Sequence, residues 1–405
     1  MSFIVNSLAR TSFNSNLRLI APYRGVYVTQ VKNLYSPAAL GIDGFLQTRK
    51  RAKEQFTNYT EKFRTKMNEF VSSQENMIFT EDLKNMVHLA EPTDLKLILS
   101  MIQKCIKIKV LSQHDKKIWA DLDFRENLFN SQNNELRFGS YVFGPVVMRM
   151  FHFLDAPKEA LECFYDPKND GFFDQQMSYH ILLDLLYNHE MYDEMYKVFD
   201  RLQLKQINMS KFPKYCVVMV LAACYKQNTP KSLEYASKLW SDMASAGSVP
   251  VRRACTFFAA LALKQGAPHI AMESISSQKQ HYVTIRNIKA IALADMGRVE
   301  DTLPVLRNVL DIDSPAQKDK HTFFDETLER VRKAVEISKN KDVQKEFEDI
   351  EKALKDRGLV ESKTLDQLLT AEIAKQQPLD PSRLQRGSYQ FNRTQLGPRP
   401  KKRIV

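Results

Sequence analysis

Between Arg201 and Lys264 the sequence carries ten basic side chains and two acidic ones, a net charge of +8. The ten are Arg201, Lys205, Lys211, Lys214, Lys226, Lys231, Lys238, Arg252, Arg253 and Lys264. Cations strung along one segment neutralise successive phosphates, so the chemistry on offer is electrostatic binding of a nucleic-acid backbone. The stretch before it, Arg137 to Asp200, holds 5 basic and 11 acidic residues and is net −6. The total of +11 says less, because residues 1–35 carry +4 and residues 376–405 carry +6, leaving +1 for everything between. Other chemistry finds little footing. There is no glycine-rich phosphate loop, no HExxH and no GxSxG, so the chain reads as non-enzymatic, without cofactor or small-molecule substrate. Five cysteines (Cys105, Cys163, Cys216, Cys224, Cys255) show no CxxC and no paired histidine spacing. They read as reduced core residues, and no metal site is expected. His180 and His189 lack a third partner for a metal and read as surface or turn residues.

These cations must be positioned by helices. Tyr179, Leu182, Leu183 and Leu186 fall at i, i+3, i+4, i+7, and Met195, Val198, Phe199 and Leu202 repeat the spacing. The pattern predicts two short helices, Ser178–Asn188 and Tyr192–Leu204, each with an apolar face that neither can bury alone. A small-residue marker in the second helix recurs as Ala160, Met195, Ala236, Ala271 and Thr302. Each marker follows an apolar first helix: PVVMRMFHF, HILLDLL, CVVMVLAACY, TFFAALAL and NIKAIAL. Five helical hairpins over residues 137–313 therefore predict an all-α chain, an α-solenoid in which each unit buries its neighbour's face.

Tetratricopeptide repeats share this length, but the Met177 segment lacks their Leu-Gly pair. The order in residues 178–208, Tyr-polar-aliphatic-aliphatic-Asp and later Met-Tyr-x-Val-Phe, resembles a pentatricopeptide repeat. The flanking copies match in hydrophobic phase. That resemblance implies a solenoid binding single-stranded RNA, with one side chain near the start of each first helix reading a base. Carried over by phase, those positions are Pro145, His180, Cys216, Thr256 and Asn287. Thr256 and Asn287 are the usual types, His180 can donate or accept, and Pro145 and Cys216 can do little. No clean second reader falls near Ser210 or Pro250, so any base preference is expected to be shallow.

Residues 1–42 contain Arg10, Arg18, Arg24 and Lys32 but no acid, with hydroxyls and an amphipathic apolar spacing. That is the composition of a mitochondrial transit peptide, placed at residues 1–35, and it predicts a matrix destination. No apolar run reaches the length of a membrane span. Residues 36–136 read as a helical region. Within it, Phe45–Phe70 reads as one helix led by Arg49, Lys50, Arg51 and Lys53 on a solvated or RNA-facing side. Thr80 and Thr93 look like N-caps. Residues 314–375 read as an all-helical cap or partner-binding hairpin, and residues 376–405 as a basic, disordered tail that could clamp RNA. Two functions survive: an RNA-binding adaptor assisting maturation, processing or stability of mitochondrial transcripts, and a scaffold for mitochondrial protein partners. The candidate contacts are His180, Thr256, Asn287, Arg201, Lys205, Lys211, Lys214, Arg252 and Arg253.

Overall fold

The structure, a computed structural model, describes residues 34–55, 60–73, 80–107, 143–278, 282–311 and 321–374. Residues 1–33 of the predicted transit peptide and the basic tail from residue 376 lie outside them, whereas the peptide's last two residues, Leu34 and Tyr35, are buried and belong to the folded unit. Six helical hairpins follow one another. Their first helices are α6 (Phe143–Phe153), α8 (Gln176–Asn188), α10 (Lys214–Gln227), α12 (Arg252–Lys264), α14 (Val283–Asp295) and α16 (Asp325–Ser338). Their second helices are α7 (Pro157–Tyr165), α9 (Tyr192–Lys205), α11 (Pro230–Ser245), α13 (Pro268–Ile275), α15 (Val299–Leu310) and α17 (Lys341–Asp356). Each first helix packs on the next, and α9, α11, α13 and α15 each touch the first helix of the following hairpin. The described residues thus form an all-α stack, apart from two short paired strands.

The local signals behave as the side chains dictate. Asn228 takes a left-handed φ of 47° and ends α10; Thr229 then accepts from the Ser232 amide at 3.1 Å, with Pro230 opening α11. This is where extra turn residues lengthened the repeat period. The α9 stripe predicted from spacing, Met195, Val198, Phe199 and Leu202, is buried throughout.

Two expectations change. Phe45–Phe70 is not a single helix: its described residues divide between α2 (Ile42–Gln55) and α3 (Thr60–Ser72). α2 packs on α4 (Thr80–Leu89) and on α6, whereas α3 packs on α5 (Leu95–Lys107). Arg49 is buried, donating to the carbonyls of His88 and Ala90 at 2.6 Å and lying over the Phe153 ring. A guanidinium spent on two helix-terminal carbonyls faces neither RNA nor solvent. Nor is Thr93 an N-cap, because it sits inside a single turn, Pro92–Asp94, capped by Glu91.

The segment after the fifth hairpin departs most from a plain helical cap. α16 and α17 stack on α14 and α15 as a sixth hairpin. Just before it, β1 (Phe323–Phe324) pairs in parallel with β2 (Val360–Glu361). The chain then turns back over the first helices through α18 (Leu365–Leu369), which lies on α12 and α14. At Ile373 it meets the amino-terminal segment. The Ser36 amide donates to the Ile373 carbonyl at 3.0 Å, and the Ile373 amide donates to the Leu34 carbonyl at 2.8 Å. α1 (Pro37–Leu40) continues that line over α8, and Arg149 of α6 donates to the Leu40 carbonyl at 2.8 Å. Two terminal segments joined end to end therefore cover the face of the stack made by the first helices.

Candidate nucleic-acid interface

That cover explains why α8, α10 and α12 each bury ten consecutive residues: Ser178–Tyr187, Cys216–Tyr225 and Ala254–Leu263. A helix apolar all round must be covered on every side, and here the fourth side is covered by residues 34–40 and 360–373 of the same chain.

The five carried-over reader positions lie under or beside the cover. Pro145 and Cys216 are buried apolar residues, and burial pushes the Cys216 thiol up to about 12. Thr256 is buried and donates to the Arg253 carbonyl at 2.9 Å. Asn287 is completely buried, its Oδ1 accepting from the Phe324 amide at 3.0 Å and from the Thr327 hydroxyl at 2.7 Å. Its amide donates to the Val283 carbonyl at 2.8 Å. So Thr256 and Asn287 hold the protein's own backbone and present no edge to a base; burial, invisible in the residue type, decides this. Asn287→Ala is expected to cost about 2 kcal/mol, the range for stranding buried polar partners. Hydrogen exchange should show the loss concentrated at β1 and the start of α16; an unperturbed β1 would refute the assigned role.

The cations divide into three sets. Arg201 and Lys205 turn to the acid-rich neighbouring hairpin: Lys205 Nζ lies 2.7 Å from Asp170 and 2.8 Å from Asp174, and Arg201 also donates to the Phe164 carbonyl. Arg253 bonds the carbonyls of Leu368 and Leu369 at 3.2 and 2.9 Å, while Lys226 and Lys264 approach Asp366 at 3.4 and 3.8 Å. Lys211, Lys214, Lys231, Lys238 and Arg252 are exposed, with Arg252 lying 3.9 Å from the centre of the Tyr282 ring.

A cleft opens beside the cover. Met177, His180, Ser210, Phe212, Lys214, Tyr215 and Val249 are among the residues lining a cleft of about 690 Å³ between the starts of α8 and α10. Tyr215 is 65% exposed and its ring stacks parallel to His180 at 5.6 Å, while Tyr35 meets His180 edge-on at 4.3 Å. His180 is only 5% exposed, and its Nε2 has no hydrogen-bond partner among the described residues. Burial lowers its pKa to about 4, with Asp184 acting the other way, so the ring is neutral at physiological pH. The loop leading into Ser210 and Phe212 is strained, with Gln206, Asn208 and Met209 at φ of 45°, 54° and 58°. Non-glycine residues held left-handed cost free energy and cluster where a surface has work to do. Phe212 and Tyr215 were missed at the sequence level; their signal is aromatic interleaving with Lys211 and Lys214.

The stack and its basic, aromatic edge define a helical-repeat protein of the hairpin class. Similarity to known chains points the same way. The chain is 29% identical over 248 residues to the mitochondrial pentatricopeptide repeat-containing protein 2 of Mus musculus, covering 61% of this chain and 63% of that protein. It is 30% identical over 246 residues to the protein of the same name from Homo sapiens, covering 60% and 61%. The Xenopus laevis protein is 26% identical over 254 residues, covering 62% and 65%. The chain thus spans less than two thirds of the length of each of these relatives. Its resemblance is to pentatricopeptide-repeat proteins, although no protein-family model matches it.

Proposed function

We propose that this chain is a mitochondrial, non-catalytic RNA-binding protein, holding single-stranded transcripts and so assisting their maturation, processing or stability. Its relatives carry a mitochondrial name, in keeping with the acid-free, basic amino terminus. The observation that carries the reading is the cleft: an exposed aromatic ring, a buried ring nitrogen lacking a partner among the described residues, Lys214 in its lining, and Lys211 over the ring of the lining residue Phe212. A base enters between the Tyr215 and His180 rings and stacks on them, and its phosphates meet the lysines. Because Pro145, Cys216, Thr256 and Asn287 are buried, they offer no edge to a base, and base selectivity is shallow.

Binding of a labelled single-stranded RNA tests it. Tyr215→Ala is expected to weaken binding by roughly tenfold, within the range for losing one base–aromatic stack. Charge reversal at Lys211 and Lys214 should also flatten the salt slope by at least about 1.4, the counterions of two phosphate contacts on a single strand. Reversal at Lys158 and Lys168 in the acid-rich hairpin is the control; equal losses there would refute the cleft as the site. Crosslinking in intact mitochondria then names the transcript. A second reading, a holder of extended protein segments, is favoured by residues 359–373 lying on the first helices. RNA crosslinks at background level would select it.

A further inference from the structure

We infer that residues 360–373 form a displaceable clasp, in which Asp366 and the last carbonyls of α18 occupy cations that RNA phosphates would take. This rests on the RNA-binding reading above and concerns the regulation of that site. Three of the ten cations of the basic segment, Lys226, Arg253 and Lys264, are held by this one short segment. The groups facing them are a carboxylate and two helix-terminal carbonyls, the partial negative end of a helix. In charge they stand in for phosphates at the end of α10 and at both ends of α12.

The polar contacts of the clasp lie at the surface, apart from a hydrogen bond from the buried Tyr225 hydroxyl to Asp366. The ion pairs to Asp366 are half-exposed, at 3.4 and 3.8 Å, and such pairs contribute little. Its buried apolar anchors are Leu365 and Leu369, and β2 is only half-buried. Tyr35 ties the clasp to the cleft. Its ring packs against His180 and Tyr215, and its amide donates to Asp184 at 3.4 Å. The residues on either side of it, Leu34 and Ser36, make the two backbone bonds to Ile373. A base entering between Tyr215 and His180 displaces the Tyr35 ring, which loosens Ile373; release of α18 then frees the three cations for phosphate. Clasp and strand compete for one set of charges, so the clasped fraction lowers the apparent affinity.

Hydrogen exchange and RNA titration on the full-length protein decide this together. Adding a labelled single-stranded oligoribonucleotide of mixed sequence is expected to remove protection from the amides of Ser36 and Ile373. Asp366→Asn keeps the side-chain shape and is expected to tighten RNA binding several-fold. Its salt slope should steepen by about 1.4 as Lys226 and Lys264 become available. RNA bound with Ser36 and Ile373 still protected overturns the clasp and leaves the cleft reading standing, as does unchanged affinity in a folded Asp366→Asn. Should Asp366→Asn not fold, the exchange measurement on the unaltered chain decides alone. No RNA binding by either protein overturns both.

Discussion

Phe199→Ala is expected to remove about 3–5 kcal/mol of stability, the range for deleting a fully buried phenylalanine. Phe199 is 0% exposed and lies on the α9 stripe with Met195, Val198 and Leu202. α9 packs on its own first helix α8 and on α10 of the next hairpin, so the cavity opens at a junction between two units. Stability in a stacked array is a sum of unit and interface contributions. The substitution weakens one unit and the interface to the third, and the loss is shared by the neighbours. Leu204 supplies the control from the same helix. It is 84% exposed, and Leu204→Ala should stay within about half a kcal/mol. Denaturant unfolding of the two variants separates them. A loss below about 1 kcal/mol for Phe199→Ala would mean that the second and third hairpins do not meet as described.

Much of the fold was legible because helix period is written directly into apolar spacing. The Tyr179 and Met195 stripes predicted a helix pair at residues 178–204, and α8 and α9 lie there within two residues. What covers the first helices was not legible in the segment that does it. Residues 360–373, VESKTLDQLLTAEI, have no periodicity of their own and are held by two buried leucines, backbone carbonyls and one carboxylate. The signal sat in the helices underneath, since CVVMVLAACY leaves no polar side for solvent. Cys216 and Pro145, poor readers by type, were pointing at the same cover. Thr256 and Asn287 looked like readers because type and phase alone do not tell a groove from a core. Charge pairing was half-legible: Lys205 meets Asp174 and Asp170 at sequence separations of 31 and 35, one repeat earlier. The net −6 and +8 segments thus partly neutralise each other across adjacent hairpins.

His180 makes the stability of the array depend on pH. Burial lowers its pKa from 6.5 to about 4, with Asp184 opposing. Above pH 6.5 the ring is neutral both folded and unfolded, and it contributes no pH dependence. As pH falls below 6.5 the unfolded chain takes up a proton that the folded chain refuses, so stability is lost with acidification down to about pH 4. A shift of this size corresponds to about 3 kcal/mol at the acid end of the window. Below it the folded ring is protonated too, and the loss levels off. His180→Phe keeps an aromatic ring between Tyr35 and Tyr215 and has no proton to bind. The difference between the two stability–pH curves isolates this residue from His152, whose Nε2 lies 3.0 Å from Asp184, and from the other histidines. The curves should diverge progressively as pH falls from 6.5 to 4, with the unaltered chain losing more. Parallel curves would mean that water reaches His180 freely and that the ring is not held dry between Tyr35 and Tyr215.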